Sequence, residues 1–448
     1  MKTWKIIFWI IAHVILAHIM RLYPVMATIH AYVVLTIGVV WAIRGNKLNM
    51  IYTAAYIAGA EVLWRMTGAH IFWEFGKYAV IFIFLINLLT RGWKKPILPL
   101  MYFIFLLPST VLLPVLISNV DRVSFQDISF NLSGPFALLI CVLTFSKMKI
   151  LNTHWVKTLF FLACPIVSIL AIARYMTFTA KDLYFSEASN LATSGGFGPN
   201  QVSAILGLGA LCFYLILLVL RHKIMMRVIF VLFAILFATQ SALTFSRGGV
   251  YMAALSAIFA TFYLIRNQRN FMRFAFVFIV LFFIADRYVW PRLVDFTEGA
   301  IEKRFKQTSL TNREDIFMED LRIFESHFFL GVGPGQAKKL RHEKAEGAAA
   351  HVEFSRLLSE HGIFGLFSLI AMFLMALRTL KSAKTNLNKA NAVAGLIWGL
   401  FFMGINGMRL LAPSFMFGFA AVTIIEIVGN PISLMKSDLP DLPETVSQ

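Results

Sequence analysis

The residues best suited to chemistry are a histidine and several arginines in the C-terminal half of the chain. His351 lies in the stretch GAAAHVEFSRLLSEHGIFG, residues 347–365, which leads into an apolar run. An imidazole with an ordinary pKa of roughly 6.5 can accept a proton from a hydroxyl at neutral pH. His361, Glu353 and Glu360 compete for this role, and a surface histidine considered on spacing alone more often has no catalytic role.

Arg247 stands in the sequence Ser246-Arg247-Gly248-Gly249, at a predicted tight turn between two apolar segments. An arginine at a helix start offers phosphate a bidentate hydrogen-bonding partner, and two glycines let a ligand approach the backbone closely. The alternative is an arginine that reaches toward lipid headgroups. Basic residues are disfavoured on the outer face of a membrane protein, where this turn is expected, so a functional role is favoured.

Three more arginines, Arg304, Arg313 and Arg322, recur at nine-residue intervals in the charged segment 291–362. Arg313 near a predicted helix start and Arg322 just before a glycine-rich turn are the stronger candidates for binding phosphate. Acidic neighbours also allow a salt-bridged surface, so both interpretations stay open. Arg174, at the outer end of an earlier apolar segment, is a further candidate, which could line a polar cavity together with charged residues near the outer ends of other spans.

The glycine-rich turn reads GVGPG at residues 331–335. Gly333 and Gly335 could help present backbone N–H groups to a phosphate. A turn that simply ends the preceding helix explains the same residues at least as well. The sequence contains no Gly-x-x-x-x-Gly-Lys phosphate loop, and the segment 291–362 contains no Asp-x-Asp metal pair.

Membrane-spanning helices are the elements that must position these side chains. Hydrophobic residues make up 59% of the 448-residue chain and charged residues only 14%, whereas charged residues are about 25% of a soluble domain. Apolar runs of about 17–22 residues recur, and runs of that length cross a hydrocarbon core roughly 30 Å thick as helices. We therefore expect an all-α polytopic membrane protein with 12–14 transmembrane helices and one large helical outer loop.

The predicted segments include one, 133–146, that is short enough to be re-entrant rather than spanning. They are 4–20, 24–43, 48–66, 70–90, 96–118, 133–146, 155–175, 201–220, 226–244, 248–265, 271–290, 363–379, 390–406 and 411–428.

The formal net charge of +18 follows a membrane pattern rather than a nucleic-acid one. With the N-terminus inside, the inner loops carry many Lys and Arg residues and no Asp or Glu, which predicts a topology with both termini inside. The basic surplus favours anionic lipid, and no nucleic-acid partner is expected. Cys141, Cys164 and Cys212 fall inside predicted spans and are expected to be small buried hydrophobes.

This topology divides the chain into five parts. They are N-terminal helices at 1–175, central helices with the SRGG turn at 176–290, an outer helical loop at 291–362, C-terminal helices at 363–430 and a cytoplasmic tail at 431–448.

Within the outer loop, Thr311 and Glu314 are spaced as a capping box for a first helix. A second helix is expected at 337–346 and a third from Ala348 to Gly362.

Two charged pairs lie at helical i,i+4 spacing near the outer ends of predicted spans: Glu61 with Arg65, and His70 with Glu74. Such pairs usually neutralise each other or line a polar cavity, and structural pairing is favoured here. They also keep open a second class of function, a transporter or flippase without chemistry. Against it stand the lack of a recognisable internal repeat and the single large charged outer loop.

Taken in order, four motifs resemble the bacterial O-antigen ligase and O-antigen polymerase superfamily over roughly residues 190–380. They are GGFGPNQVS at 195–203, SRGG at 246–249, Arg322 followed by GVGPG, and His351 followed by Gly362 and Gly365.

The resemblance implies a glycosyl transferase of the GT-C type in the bacterial inner membrane that needs neither metal nor cofactor and acts on the periplasmic side. The donor would be a glycan on undecaprenyl pyrophosphate, and the acceptor a saccharide or lipid A-core. His351 would be catalytic, and Arg247, with Arg313 and Arg322, would bind pyrophosphate. Val352 stands where ligases tend to have Asn, Ser or Gln, which favours a polymerase slightly.

Overall fold

The structure is a computed structural model, and its fold is all-α and polytopic, as predicted from composition. It describes residues 3–92, 96–116, 124–179, 184–186, 188–219, 224–265, 272, 279, 283, 285–307, 313–342 and 351–426.

The described N-terminal half consists of helices and one short strand. They are α1 (Thr3–Leu22), α2 (Pro24–Ile43), α3 (Lys47–Met66), α4 (Phe75–Arg91), α5 (Ile97–Ile104), α6 (Leu107–Leu116), α7 (Phe125–Phe145), β1 (Lys149–Leu151) and α8 (Asn152–Thr179).

The C-terminal half continues with α9 (Pro199–Val219), α10 (Ile224–Leu243), α11 (Arg247–Leu264), a π-helical turn (Ala285–Val289), α12 (Trp290–Phe296), α13 (Ala300–Lys306), α14 (Arg313–Ser326), α15 (Ala337–Leu340), α16 (Glu353–Ser382), α17 (Asn386–Asn406), α18 (Ala412–Phe419) and β2 (Thr423–Ile425).

Eight described helices are long and apolar enough to cross a membrane. They are α1, α2, α7, α8, α9, α10, α11 and α16. Two shorter apolar stretches, Phe75–Thr90 and Ile97–Leu113, fall below that length. Most of the predicted segment 271–290 and all of the tail 431–448 lie outside the described residues, so the figure of 12–14 spans stays a prediction.

The predicted short segment 133–146 is in fact part of a full-length helix. α7 begins at Phe125, and the Ser124 side chain caps it by accepting a hydrogen bond from the Asp127 N–H at 3.0 Å. The polar first turns of this helix hid its true start, because hydropathy alone does not detect a capped polar turn. At 21 residues α7 has the length to span.

Three other segment boundaries were wrong. The expected span at 96–118 is two helices, α5 and α6, because Pro108 in the first turn of α6 lacks the N–H that would continue the preceding helix. The expected span at 411–428 is helical only in α18, and it then extends into β2, which pairs in parallel with β1. The expected helix at 337–346 is the single turn α15, and residues 343–350 lie outside the described part.

Small residues allow the central helices to pack closely. A Cβ on Gly59 of α3 would lie 2.1 Å from the carbonyl oxygen of Leu162 in α8, and one on Gly207 of α9 would lie 2.3 Å from the carbonyl oxygen of Gly249 in α11. Such backbone approach is typical of helix packing in membranes.

Hydrogen bonds link the ends of the described helices in two separate regions. At the ends predicted to be outer, Arg65 of α3 donates to Gln201 of α9 at 3.4 Å, and Ser246 donates to Asn200 at 2.8 Å. At the ends predicted to be inner, the side chains of Tyr52 and His154 are hydrogen-bonded at 2.6 Å. The candidate residues for chemistry gather in the first region.

Candidate active site

His351 lies two residues before the start of α16, where the outer loop meets that helix. Burial, together with the positive fields of Arg409, Arg313 and Arg341, lowers the pKa of its imidazole to about 4. The side chain is therefore neutral at pH 7, and its unprotonated ring nitrogen can accept a proton.

The arginines around His351 form one electrostatic group. Burial, followed by the fields of Arg304, Arg247 and Arg409, lowers the pKa of Arg313. We call Arg247, Arg304, Arg313, Arg341 and Arg409 the arginine cluster. The fields of Arg304, Arg247 and Arg409 on Arg313 make the surroundings of Arg313 a favourable place for an anion, because an anion would offset the like charges.

Two members of the cluster converge on Gln307, just after α13. Arg247 donates from Nη1 to the Gln307 carbonyl oxygen, and Arg304 donates from Nη1 to the Gln307 Oε1 at 3.2 Å. Arg304 is buried and also donates from Nε to the carbonyl oxygen of Phe245 at 3.0 Å. The loop after α13 is thereby tied to the turn that carries Arg247.

That turn is held in an uncommon conformation. Phe245 has a φ of 59°, a left-handed value that bulky residues rarely adopt. The GPNQVS segment supports it: Ser246 donates to the Asn200 side chain, and the Ser203 hydroxyl donates to the Ser246 carbonyl at 2.6 Å. Backbone strain of this kind clusters at functional sites, and here it fixes the direction in which α11 and Arg247 begin.

The two glycines after Arg247 pack against helices. A Cβ on Gly249 would lie 2.1 Å from the Ser203 carbonyl oxygen, and one on Gly248 would meet Ile405 at 3.4 Å. The expectation that both glycines open the backbone to a ligand is therefore not supported. Their neighbours are α9 and α17.

The GVGPG turn is also committed to helix packing. The N–H groups of Val332 and Gly333 donate to the carbonyls of Ser359 and Glu360 at 3.1 and 2.9 Å, and the Gly335 N–H bonds the Glu360 side chain. Because these donors are used within the protein, the geometry does not support a phosphate cradle at Gly333 and Gly335. The turn instead docks on α16.

A kink in α16 makes that docking site. Gly362 has φ 59° and ψ −139° inside the helix, and the Ile363 N–H donates to the Phe328 carbonyl at 2.7 Å. A Cβ on Gly362 would lie 2.5 Å from that same oxygen. The predicted change at Gly362, from outer helix to apolar span, is thus a sharp bend within one long helix.

These motifs agree with the comparison to known proteins. A family model described as O-antigen ligase matches residues 232–370, a range that includes His351 and the SRGG turn. The match supports a relationship of this part of the chain to the O-antigen ligase and polymerase superfamily. Together with the eight long apolar helices, it indicates a multi-pass membrane protein that resembles glycosyltransferases of the O-antigen ligase family. No curated protein matches the chain.

Two other predicted arginines lie apart from the cluster. Arg322 is exposed and donates to Glu319 at 2.9 Å and to the Leu340 carbonyl at 2.8 Å, which corresponds to the salt-bridged surface interpretation. Arg174 stacks on Phe178 with its guanidinium 5.4 Å from the ring centre. Neither is among the described charges that act on His351.

Arg341 is a cluster member that sequence reasoning missed. It is buried and donates to Asp320 at 2.6 and 3.0 Å, and Asp320 also accepts from Ser355 at 2.7 Å. This network fastens α14 and the loop after α15 to the first turn of α16. Its sequence, RHEK, carries no signal that separates Arg341 from its charged neighbours.

Arg409 is the second cluster member that sequence reasoning missed, and it lies outside the family match, in the turn between α17 and α18. Three contacts hold that turn: Glu353 accepts from the Met408 N–H at 3.1 Å, Glu61 accepts from the Leu411 N–H at 2.6 Å, and Arg65 donates to the Arg409 carbonyl at 3.1 Å. A basic residue at an outer turn is the signal that could have found it, because the same reasoning selected Arg247.

Of the predicted intramembrane pairs, one forms and one does not. Glu61 and Arg65 form an ion pair at 2.6 Å, as favoured for a structural pair. His70 is exposed, and Glu74 pairs with buried Lys77 instead.

The residues that compete with His351 as a proton acceptor have other partners. Glu353 and Glu360 are both paired with the buried Arg356. His361 is fully buried against Ser109 of α6. Among the three histidine and glutamate alternatives, none is surrounded by the arginine cluster as His351 is.

Proposed function

We propose that this protein transfers a glycan from an undecaprenyl-pyrophosphate carrier to a hydroxyl of an acceptor saccharide. The reaction takes place at the periplasmic face of the bacterial inner membrane and does not use a metal ion. The observation that carries this proposal is a neutral histidine in the positive fields of Arg409, Arg313 and Arg341, two residues before the start of the apolar helix α16.

The arginine cluster binds the pyrophosphate of the donor in this proposal. Guanidinium groups match phosphate oxygens in bidentate pairs, and Arg247 is the first residue of the apolar helix α11, so a lipid-borne phosphate beside that helix end would be within its reach in this proposal. The apolar carrier chain stays in the membrane beside the helices. The sugar at the pyrophosphate end then lies near His351.

His351 acts as the general base. It takes the proton from the acceptor hydroxyl while the oxygen forms a bond to the anomeric carbon of the donor sugar. The bond from that carbon to the pyrophosphate oxygen breaks, and undecaprenyl pyrophosphate leaves with the electron pair. Arginines stabilise the negative charge that grows on this leaving group in the transition state.

Donor binding also tunes the base. Burial and then the fields of Arg409, Arg313 and Arg341 lower the pKa of His351 to about 4 in the protein without substrate. A bound pyrophosphate offsets those positive fields and raises the pKa of His351 toward its usual range. A base with a higher pKa is stronger, so His351 accepts a proton more readily once the donor is bound.

Val352 after the catalytic histidine favours polymerisation of repeat units, and ligation to lipid A-core is the other form of the same reaction. For a transporter without chemistry, the buried charges near the outer ends of α3 and α4 are the supporting feature. In the described part of the chain these charges form matched ion pairs, Glu61 with Arg65 and Glu74 with Lys77, which supports a structural role.

The test is complementation of a gene deletion with the wild-type protein, His351→Ala and Arg247→Ala, followed by gel display of the surface glycan. Lys306→Ala is the control, because Lys306 lies on α13 near the site but is exposed and paired with Glu302. If the site variants leave full-length polymer on the carrier lipid, the protein is a ligase. If they leave single repeat units on the final acceptor, it is a polymerase. Normal glycan from both site variants, at wild-type protein levels, would refute the proposal.

A further inference from the structure

A cavity of about 490 Å³ opens beside the arginine cluster. Its walls come from the first turns of α7, the loop around α15, the first turns of α16 and the turn between α17 and α18. Ligand sites commonly have volumes of roughly 300–1,000 Å³, so this cavity has room for a small saccharide.

The cavity adjoins His351 through shared residues. Arg341 and Arg409 line it and also act electrostatically on His351, and Glu353, two residues beyond His351, forms part of its wall. The other cluster members, Arg247, Arg304 and Arg313, are not among its described lining residues. The cavity is therefore a compartment next to the proposed base and distinct from the arginines nearest the SRGG turn.

Three of the four basic residues that line the cavity, Lys338, Arg341 and Arg356, are paired with carboxylates, which disfavours a polyanion inside the cavity. Lys338 is paired with Asp127 at 3.4 Å, Arg341 with Asp320 at 2.6 Å, and Arg356 with Glu353 and Glu360. Three of these carboxylates, Asp127, Glu353 and Glu360, line the cavity. A polyanion would meet those carboxylates at close range, whereas a neutral polyol would not be repelled.

The first turns of α7 supply groups that suit a sugar. Phe130 is 40% exposed and lines the cavity, and an exposed aromatic ring can cover the apolar face of a pyranose. Gln126 is exposed and lines the same wall, and its amide carries a donor and an acceptor for hydroxyl groups, whereas the side chains of Ser124 and Asn131 hydrogen-bond within the protein. The deeper wall is rigid, because Arg356 is fixed by two carboxylates and by the Asn131 carbonyl at 3.2 Å.

We propose that this cavity binds the acceptor saccharide, with Phe130 stacked on a sugar ring and Gln126 hydrogen-bonded to its hydroxyls. The inference rests on the proposed transfer reaction and adds the position from which the attacking hydroxyl reaches His351. Donor and acceptor then enter from different sides: the donor from the bilayer along α11, and the acceptor through the first turns of α7.

The test uses the purified full-length protein in lipid nanodiscs. The donor is carrier-linked glycan extracted from the deletion strain, and the acceptor is oligosaccharide released by mild acid from the host's surface glycan. Transfer is measured for the wild type, Phe130→Ala, Phe130→Trp and Phe125→Ala. Phe125 is a matched control, because it lies on the same first turns, is 84% exposed and is not among the residues that line the cavity.

We expect Phe130→Ala to raise the KM for acceptor about tenfold or more while the KM for donor stays within twofold, since a lost binding contact raises KM selectively. Phe130→Trp should restore most of the acceptor affinity, and Phe125→Ala should match the wild type.

A rise in donor KM alone would overturn the inference and assign the cavity to the carrier pyrophosphate. Unchanged constants for Phe130→Ala would also overturn it, while the proposed function would stand as long as wild-type transfer is seen and His351→Ala abolishes it. No transfer by the wild type with either substrate pair would refute the function itself and the acceptor site with it.

Discussion

At the scale of single residues, burial and three nearby arginines set the protonation of His351, and this gives a distinctive pH dependence. The neutral imidazole is the active form, and its pKa is lowered to about 4. Activity at subsaturating donor should therefore stay level from pH 8 down to about pH 5 and fall as the pH drops through about 4. A fall centred near pH 6.5 would show that the base is an ordinary exposed histidine or another group.

Arg409 provides a second prediction at this scale. After burial, its field is the largest cause of the lowered pKa of His351. In Arg409→Gln that field is gone, so the pKa of His351 rises and the acid limb of the pH profile moves to higher pH. Loss of one charge-stabilising donor should also reduce kcat roughly 10²–10³-fold. Lys306→Gln removes an exposed charge from α13 and should change neither the acid limb of the pH profile nor kcat. An acid limb that does not shift in Arg409→Gln would show that Arg409 does not act on His351.

The same scale shows what residue spacing can predict. Arg313 and Arg322 lie nine residues apart on α14, which at about 100° per residue places them on opposite faces of the helix. Arg313 accordingly faces the cluster, and Arg322 is exposed. Spacing could indicate that the two arginines diverge, but only tertiary contacts decide which face is turned toward His351.

At the scale of elements, packing between α9 and α11 sets the position of Arg247. Gly248 and Gly249 are neighbours in sequence with different surroundings, since a Cβ would meet Ile405 at 3.4 Å in one case and the Ser203 carbonyl at 2.1 Å in the other. Gly249→Ala should lower the stability of the protein by about 1–3 kcal/mol through overpacking and reduce transfer. Gly248→Ala should be nearly neutral. Thermal unfolding in detergent measures both, and equal melting temperatures for the two variants would contradict this account.

The sequence predicted helices well where a long apolar run defines the whole helix. It predicted them poorly where a helix begins with polar residues or where only part of an apolar run is helical. α7 was underestimated because its start is a capped polar turn, and α18 was overestimated because an apolar run continues into β2. The extended end of that run is stabilised by Asn388, whose Oδ1 accepts from the Ile424 N–H at 2.6 Å. A hydropathy average over a short window of sequence cannot detect a hydrogen-bond partner 36 residues away.

At the scale of the whole molecule, the site depends on parts of the chain outside the family match at 232–370. Glu61 and Arg65 in α3 hold the turn that carries Arg409, across a sequence separation of 350 residues between Glu61 and Leu411. The motifs around His351 could be found from the sequence because they are local. The contribution of the N-terminal helices could not, because it arises only when distant helix ends meet.

The orientation of the molecule in the membrane is the remaining prediction at this scale. After the bend at Gly362, α16 continues for 20 residues, 363–382, or about 30 Å of helix, which matches a hydrocarbon core of roughly 30 Å. One end of α16 lies beside His351 and the other at Ser382, so these two points should lie on opposite sides of the bilayer. The positive-inside pattern assigns His351 to the periplasm and Ser382 to the cytoplasm.

Single cysteines can test this assignment, because Cys141, Cys164 and Cys212 are at most 1% exposed and should not react. A membrane-impermeant maleimide should label Glu325→Cys on exposed α14 in intact spheroplasts, and Ser382→Cys only after the membrane is permeabilised. The unsubstituted protein, which should remain unlabelled until it is denatured, is the control. The reverse pattern would place His351 in the cytoplasm, where the acceptor would have to be cytoplasmic and the donor would not need to cross the membrane before transfer.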